Sequence, residues 1–125
     1  MHPPSQTRIA LLGIGMMGLL VAQRLCEAGH EVHVWNRTRA KAEPLAAHGA
    51  TVHDQPASAV RQADITISLL ENGTVVGDVL FQQGTATALR KGSLFIDMAS
   101  IQPREARDHA ARLGETGVAH LDAPV

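Results

Sequence analysis

Three glycines at the end of an apolar run constrain the fold more than any other feature of the sequence. Residues 8–13 (R-I-A-L-L-G) predict a short strand that is buried on both faces, as in a parallel sheet. The segment from Gly13 to Gly18 has the sequence G-I-G-M-M-G, and a helix is predicted to open within it at residues 16–28. A second strand is predicted at residues 31–35. This strand–turn–helix–strand context predicts a phosphate-binding turn of the dinucleotide-binding type.

Each glycine of this turn has a separate role in the prediction. Gly13 allows the tight turn out of the strand, Gly15 lets the backbone approach a pyrophosphate, and Gly18 lets the helix pack closely on the strand. Backbone N–H groups at the helix start then point at the phosphates, where the helix dipole favours an anion. The alternative is a glycine-rich turn in an ordinary βαβ unit. The predicted cofactor-binding residues are Gly13, Ile14, Gly15, Met16, Met17 and Gly18.

The rest of the chain continues the alternation of strands and helices. Further strands are predicted at residues 50–52, 64–70, 93–96 and 118–121, and further helices at 39–48, 56–62, 74–81, 85–89 and 103–113. This order predicts an α/β protein, a doubly wound Rossmann fold with a mainly parallel six-stranded sheet. We expect a flexible lead-in at residues 1–7 and a dinucleotide-binding domain at residues 8–125.

The residues after the second strand indicate which dinucleotide binds. An NAD site has an acid here that bonds the ribose 2′-hydroxyl, but this sequence has Asn36, followed by Arg37 and Thr38. Arg37 offers a planar fork for a 2′-phosphate, and Thr38 can both cap the next helix and donate its hydroxyl. Arg39 and Lys41 add two more cations. The pattern favours NADP(H) over NAD, the alternative being that the arginines are only solvated surface charges.

Ligands of open α/β sheets bind at the carboxyl ends of the strands, and three later segments should arrive there. Ser100 is the best candidate for a polar contact near the nicotinamide or the substrate, unless it only forms the entry turn of the next helix. Asp97 and Asp122 are expected to hold loops by accepting backbone N–H groups. Asp122 is also a candidate substrate contact.

The composition argues against several other functions. The net charge of −1 and the 2% of aromatic residues give neither a field nor a stacking surface for nucleic acid, and no apolar run reaches membrane-spanning length. None of the seven histidines belongs to a recognised metal motif. Cys26 is the only cysteine, so a reducing cytoplasm is the expected compartment. We therefore expect no metal, no nucleic acid and no membrane as partners.

A proton donor for hydride chemistry is missing from the sequence. Reduction of a carbonyl needs a donor near its oxygen, and the chain has only two lysines. Lys41 belongs to the adenosine side, and Lys91 precedes the fifth strand at the amino end of the sheet. No catalytic residue is therefore assigned, and we expect this chain to bind cofactor without turnover.

Over nearly its whole length the sequence resembles the β-hydroxyacid dehydrogenases, which include 3-hydroxyisobutyrate dehydrogenase, tartronate semialdehyde reductase and glyoxylate/succinic semialdehyde reductases. The matching segments are G-I-G-M-M-G (13–18), A-G-H-E-V (28–32), W-N-R-T (35–38), D-M-A-S-I-Q-P (97–103) and L-D-A-P-V (121–125). Imine reductases are similar through V-W-N-R-T and K-A-E-P-L, but the segments around residues 97 and 121 look more like the hydroxyacid enzymes.

The resemblance implies an oxidoreductase that transfers hydride between nicotinamide and a small 3-hydroxyacid or semialdehyde. It implies that Leu69 and Leu70 lie along the cofactor ribose and that Ser100 contacts nicotinamide or substrate, although Ala99 replaces the more usual serine before it. It also implies that the catalytic lysine and an all-α domain lie beyond Val125, and that the full-length protein forms a homodimer or homotetramer. An imine reductase N-terminal domain and a non-catalytic nucleotide-binding module are the alternatives.

Overall fold

A computed structural model describes residues 6–123 as one parallel sheet with helices on both faces. The strands are β1 (Arg8–Leu12), β2 (Glu31–Trp35), β3 (Thr51–His53), β4 (Ile65–Ser68), β5 (Leu94–Asp97) and β6 (Ala119–Asp122). The helices are α1 (Gly15–Glu27), α2 (Arg39–Ala42), α3 (Pro56–Val60), α4 (Gly73–Gly77), α5 (Thr85–Ala88) and α6 (Pro103–Gly114). None of the helices in this part of the chain is long and apolar enough to cross a bilayer.

The sheet confirms the predicted α/β architecture. Its strand order is β3-β2-β1-β4-β5-β6, and all five neighbouring pairs are parallel. The order runs one way from β1 to β3 and the other way from β4 to β6, so the connections diverge between β1 and β4. A crevice at the carboxyl ends of these two strands is therefore the place where this fold binds ligands.

Both faces of the sheet are buried, which explains the apolar strand sequences. Leu11 of β1 packs with Val32, Val34 and the residues of α1 and α2 on one face. Leu12 of β1 packs with Phe95 and residues of α3, α4 and α6 on the other face. The sheet is thus a rigid platform between two apolar layers.

Two predicted helices are less regular than expected. The helix predicted at residues 39–48 is α-helical only to Ala42 and continues as a 3-10 helix over Glu43–His48. Pro44 lacks the N–H that would bond the carbonyl of Ala40, so the α-helical ladder cannot continue through it. The helix predicted at residues 74–81 becomes a π-helix over Asp78–Gln82, where Gln83 N–H donates to the Asp78 carbonyl at 3.0 Å.

The predicted lead-in is described only at its end. Gln6 Nε2 donates to the Gly29 carbonyl at 3.3 Å, and Thr7 N–H donates to His30 Nδ1 at 3.2 Å. These bonds join the start of β1 to the start of β2. The first five residues of the lead-in, together with Pro124 and Val125, lie outside the described residues.

Candidate functional site

The glycine turn leaves β1 in a conformation that other residues rarely adopt. Gly13 has φ 84°, and its N–H donates to the Trp35 carbonyl at 2.8 Å, which ties the turn to the end of β2. A Cβ atom at Gly13 would lie 2.8 Å from Leu70 Cδ2. Gly15 has φ 52°, and a Cβ atom there would meet no heavy atom within 4 Å. Gly13 is thus enclosed by protein, whereas Gly15 faces open space through which a ligand can approach the backbone.

Gly18 brings α1 close to the ends of β1 and β4. A Cβ atom at Gly18 would lie 3.3 Å from Leu69 Cδ1 and 3.4 Å from the Gly13 carbonyl oxygen. The N–H of Gly18 donates to the Ile14 carbonyl at 2.7 Å. The helix therefore begins at the carboxyl ends of β1 and β4, with its N-terminal N–H groups at the crevice. Met17 is exposed on α1, and Met16 lies in its first turn.

Asn36 joins this turn to the segment that follows β2. Its Oδ1 accepts the N–H of Ile14 at 3.0 Å, and its Nδ2 donates to the Thr38 carbonyl at 2.9 Å. Both ends of the side-chain amide are therefore used within the protein. An aspartate could make only the first of these bonds, because an ionised carboxylate has no N–H or O–H to donate.

These segments form the walls of a cleft with a volume of about 530 Å³ at the carboxyl edge of the sheet. The glycine turn contributes its first three residues, the end of β2 and the segment after it contribute Trp35 through Thr38, and α2 contributes Lys41. The opposite wall comes from the segment after β4 and from α4 and the π-helix. It comprises Leu69, Leu70, Glu71, Thr74, Val75, Asp78, Val79 and Gln83.

The cations expected at the cofactor site do not all face the cleft. Arg37 and Lys41 line it, and the Arg37 Nη2 atom lies 4.0 Å from Glu71 Oε1. Arg39 instead bonds Asp54 at 2.7 Å and Glu43 at 3.3 Å. Thr38 occupies the N-cap position of α2, but its side chain makes no capping hydrogen bond, contrary to expectation. Thr38 is exposed and lines the cleft.

Ser100 lies in a second, more open cleft with a volume of about 690 Å³. Its backbone forms an isolated parallel bridge with Asn72, which joins the segments that follow β4 and β5. The wall opposite is the start of α6, where the N–H of the N-cap residue Gln102 donates to Glu105 Oε1 at 3.3 Å. Thr74 lines both clefts, so the second cleft is a neighbour of the first.

Asp97 holds the loop that carries Ser100. The carboxylate is fully buried, and its Oδ1 accepts the N–H of Ala99 at 2.9 Å. Burial raises the pKa of Asp97, and the hydrogen bond from Ala99 opposes this rise. Asp122 lies beside Asp97 in the register of β6 with β5, but it is exposed and does not belong to the described linings of the two clefts. Its role as a substrate contact remains a prediction.

The sequence prediction missed the far wall of the first cleft. Thr74, Val75, Asp78 and Val79 were predicted only as parts of a helix after β4, and Gln83 was assigned to no predicted element. The available signal was topological, because a helix that follows β4 begins at the carboxyl edge of the sheet and exposes its first turns to the crevice. Among the described residues, no three histidine, cysteine or acidic side chains are arranged to hold a metal ion.

A glycine turn at the diverging connections of a parallel sheet defines a dinucleotide-binding Rossmann domain. The family model of the NAD-binding domain of 6-phosphogluconate dehydrogenase matches residues 8–125, and the chain belongs to this family. Within it, the resemblance to β-hydroxyacid dehydrogenases is confirmed. Mitochondrial 3-hydroxyisobutyrate dehydrogenase from Drosophila melanogaster is 32% identical over 117 residues, which cover 94% of this chain and 36% of that protein.

Similar solved structures include a 3-hydroxyisobutyrate dehydrogenase and imine reductases. 3-Hydroxyisobutyrate dehydrogenase of Mycobacterium tuberculosis, solved with L-serine, has a TM-score of 0.89 and 37% identity and covers 96% of this chain and 40% of its own. An imine reductase from Myxococcus stipitatus with NADP+ has a TM-score of 0.83 and 31% identity and covers 91% of this chain and 39% of its own. A variant of that reductase was solved with NAD+. The chain thus spans well under half the length of these relatives.

Proposed function

We propose that this chain is the NADP(H)-binding domain of an oxidoreductase that transfers hydride between nicotinamide and a small 3-hydroxyacid or semialdehyde. The observation that carries the choice of cofactor is the use of Asn36. Its amide is bonded to Ile14 and Thr38, so the position that an NAD site gives to a ribose-binding acid serves the fold instead. Arg37, Thr38 and Lys41 then line the cleft as donors for a 2′-phosphate.

The residues of the first cleft fit a dinucleotide. Gly15 leaves the backbone open to a pyrophosphate, and the N-terminus of α1 supplies N–H groups and a favourable dipole. Leu69 and Leu70 give an apolar wall along a ribose, and Val75 and Val79 add further apolar groups to the lining. The bound nicotinamide would supply the hydride, and this chain's residues would bind and orient the cofactor.

The substrate class that we propose is taken from the relatives. Ser100, on the loop held by Asp97, is the proposed polar contact of the nicotinamide or substrate. Lys41 lines the adenosine side of the cleft. Lys91 lies against Gly117 in the turn before β6, at the amino ends of the strands and so away from the cleft. We therefore assign the proton donor, the carboxylate-binding residues and the dimer or tetramer contacts to the remainder of a full-length protein. An imine reductase domain is the second candidate, favoured by the 31% identity to the NADP+-bound imine reductase.

Titration of the purified 125-residue chain with NADPH and NADH tests the cofactor assignment. Trp35 is the only tryptophan and lines the cleft, so its fluorescence reports occupancy. We expect Arg37→Ala to weaken NADPH binding roughly 10- to 100-fold, the usual effect of losing a charge-assisted bond to phosphate, with little effect on NADH. Arg39→Ala is the matched control, because Arg39 bonds Asp54 and Glu43 outside the cleft.

Two results would overturn the proposal. Equal affinity for NADPH and NADH that Arg37→Ala leaves unchanged would exclude the NADP(H) assignment. Measurable reduction of succinic semialdehyde or glyoxylate by this chain with NADPH would exclude the view that its catalytic site is incomplete.

A further inference from the structure

We propose that Glu71 limits the preference for NADP(H) by competing with the 2′-phosphate of the cofactor for Arg37. This inference rests on the proposed function, because it concerns the ligand of the same cleft. The residues that usually set this preference follow the second strand. Glu71 instead belongs to the segment after β4, on the opposite wall of the cleft.

The geometry of the pair supports competition. Arg37 extends from the wall after β2 and Glu71 from the wall after β4, and their charged atoms lie 4.0 Å apart at the mouth of the cleft. The side chains are 79% and 75% exposed. An exposed ion pair of this length contributes little to stability, so the fold does not fix either side chain in place. A ligand with a stronger anion can therefore take Arg37 from Glu71.

The neighbouring charges single out this carboxylate. Two cations, Arg37 and Lys41, and two acids, Glu71 and Asp78, belong to the described lining of the cleft, so these charges balance. Asp78 Oδ2 accepts a hydrogen bond from Gln83 Nε2 at 2.8 Å, within its own wall. Glu71 is the acid that faces Arg37 across the cleft. The acids bonded to Arg39 lie outside this lining.

The competition distinguishes the two dinucleotides. A 2′-phosphate carries roughly −1.5 to −2 charges at neutral pH and can accept both N–H groups of the guanidinium fork. To make these bonds it must displace Glu71 from Arg37 and then sit near the displaced carboxylate. NAD(H) has a hydroxyl at this position and needs neither change. Glu71 thus opposes NADP(H) selectively.

The test is a double-mutant cycle of Glu71→Gln and Arg37→Ala in the 125-residue chain, titrated with NADPH and NADH through Trp35 fluorescence. Glu71→Gln keeps the size and polarity of the side chain and removes its charge. We expect it to lower the dissociation constant for NADPH about threefold to fivefold, the upper range for an exposed charge pair, and to leave NADH within about twofold. The gain should disappear in the Arg37→Ala background and shrink in high salt.

Glu43→Gln is the matched control, because Glu43 is an exposed acid that faces Arg39 rather than the cleft. It should leave both dissociation constants unchanged. If Arg37→Ala weakens NADPH while Glu71→Gln leaves the NADPH to NADH ratio unchanged, the competition is wrong and the cofactor assignment stands. A gain of equal size in the Arg37→Ala background would also overturn it, since the effect would not pass through Arg37. If Arg37→Ala has no effect on NADPH, the proposed function itself fails.

Discussion

The side-chain oxygen of Asn36 accepts the backbone N–H of Ile14 at 3.0 Å, across 22 positions of sequence. This bond fixes the glycine turn after β1 against the segment after β2. The two parts of the cleft that would bind pyrophosphate and ribose are therefore positioned by one amide.

Replacement of Asn36 by alanine should weaken the fold and both cofactors together. The change removes the bonds to Ile14 and Thr38, and we expect the free energy of unfolding to fall by about 1–3 kcal/mol. NADPH and NADH should lose affinity by similar factors, because the turn that receives the shared pyrophosphate is less ordered. Urea unfolding and fluorescence titration measure the two effects. Thr116→Ala, which removes a hydrogen bond to the Leu113 carbonyl in the turn before β6, away from the cleft, should leave both affinities intact. A loss confined to NADPH would instead assign Asn36 to the 2′-phosphate.

Gly13→Ala should destabilise the protein before any ligand is added. The residue has φ 84°, and its new Cβ would lie 2.8 Å from Leu70 Cδ2. We expect a loss of about 1–3 kcal/mol in the free energy of unfolding, the usual cost of a non-glycine residue in this region. Gly114→Ala, where a Cβ meets nothing within 4 Å, should change stability by less than about 1 kcal/mol and in the favourable direction. Similar unfolding curves for the two variants would contradict the account of the turn.

The pH dependence of Asp97 should be opposite to that of an ordinary paired carboxylate. Burial raises its pKa in the folded state, so the folded protein binds this proton more tightly than the unfolded chain does. The cost of the ionised form is present above the raised pKa and disappears as pH falls through it toward 3.8. Wild type should therefore gain stability relative to Asp97→Asn as pH falls from 7 into this range, in paired urea unfolding curves. A difference that does not change with pH would show that Asp97 does not titrate as expected.

His53 should make stability fall on the acid side of neutrality. Burial is the largest cause that lowers the pKa of His53. His33, whose Nδ1 lies 2.8 Å from His53 Nε2, lowers this pKa further, and so does Arg39, whereas Asp54 raises it. A lowered folded-state pKa means that the stabilising contribution is present above 6.5, the ordinary pKa of histidine, and is lost as pH falls from there through the lowered pKa. His53→Gln should flatten this part of the profile, and a profile that the substitution leaves unchanged would contradict the prediction. Since burial lowers the pKa of His120 too, the difference between variant and wild type is the relevant quantity.

The local pattern of the sequence was sufficient for the sheet and the glycine turn. Apolar runs and glycine positions predicted six strands and an α/β fold, because burial and positive φ act on single residues and their neighbours. Long-range pairing was not available from the same pattern. Arg39 forms an ion pair with Asp54 instead of facing the cleft, and the side-chain oxygen of Asn36 accepts the N–H of Ile14. Pro44 was a local signal that could have divided the helix at residues 39–48, and the prediction did not apply it.

The terminal strand β6 has an unpaired edge within the described residues. It pairs with β5 on one side and, within the described residues, ends the sheet on the other, with Leu121 49% exposed. A terminal strand presents unused N–H and carbonyl groups to any extended segment that can add to it. Concentrated samples should therefore self-associate through this edge, and Leu121→Lys is the substitution that should keep them monodisperse for spectroscopy and crystallisation.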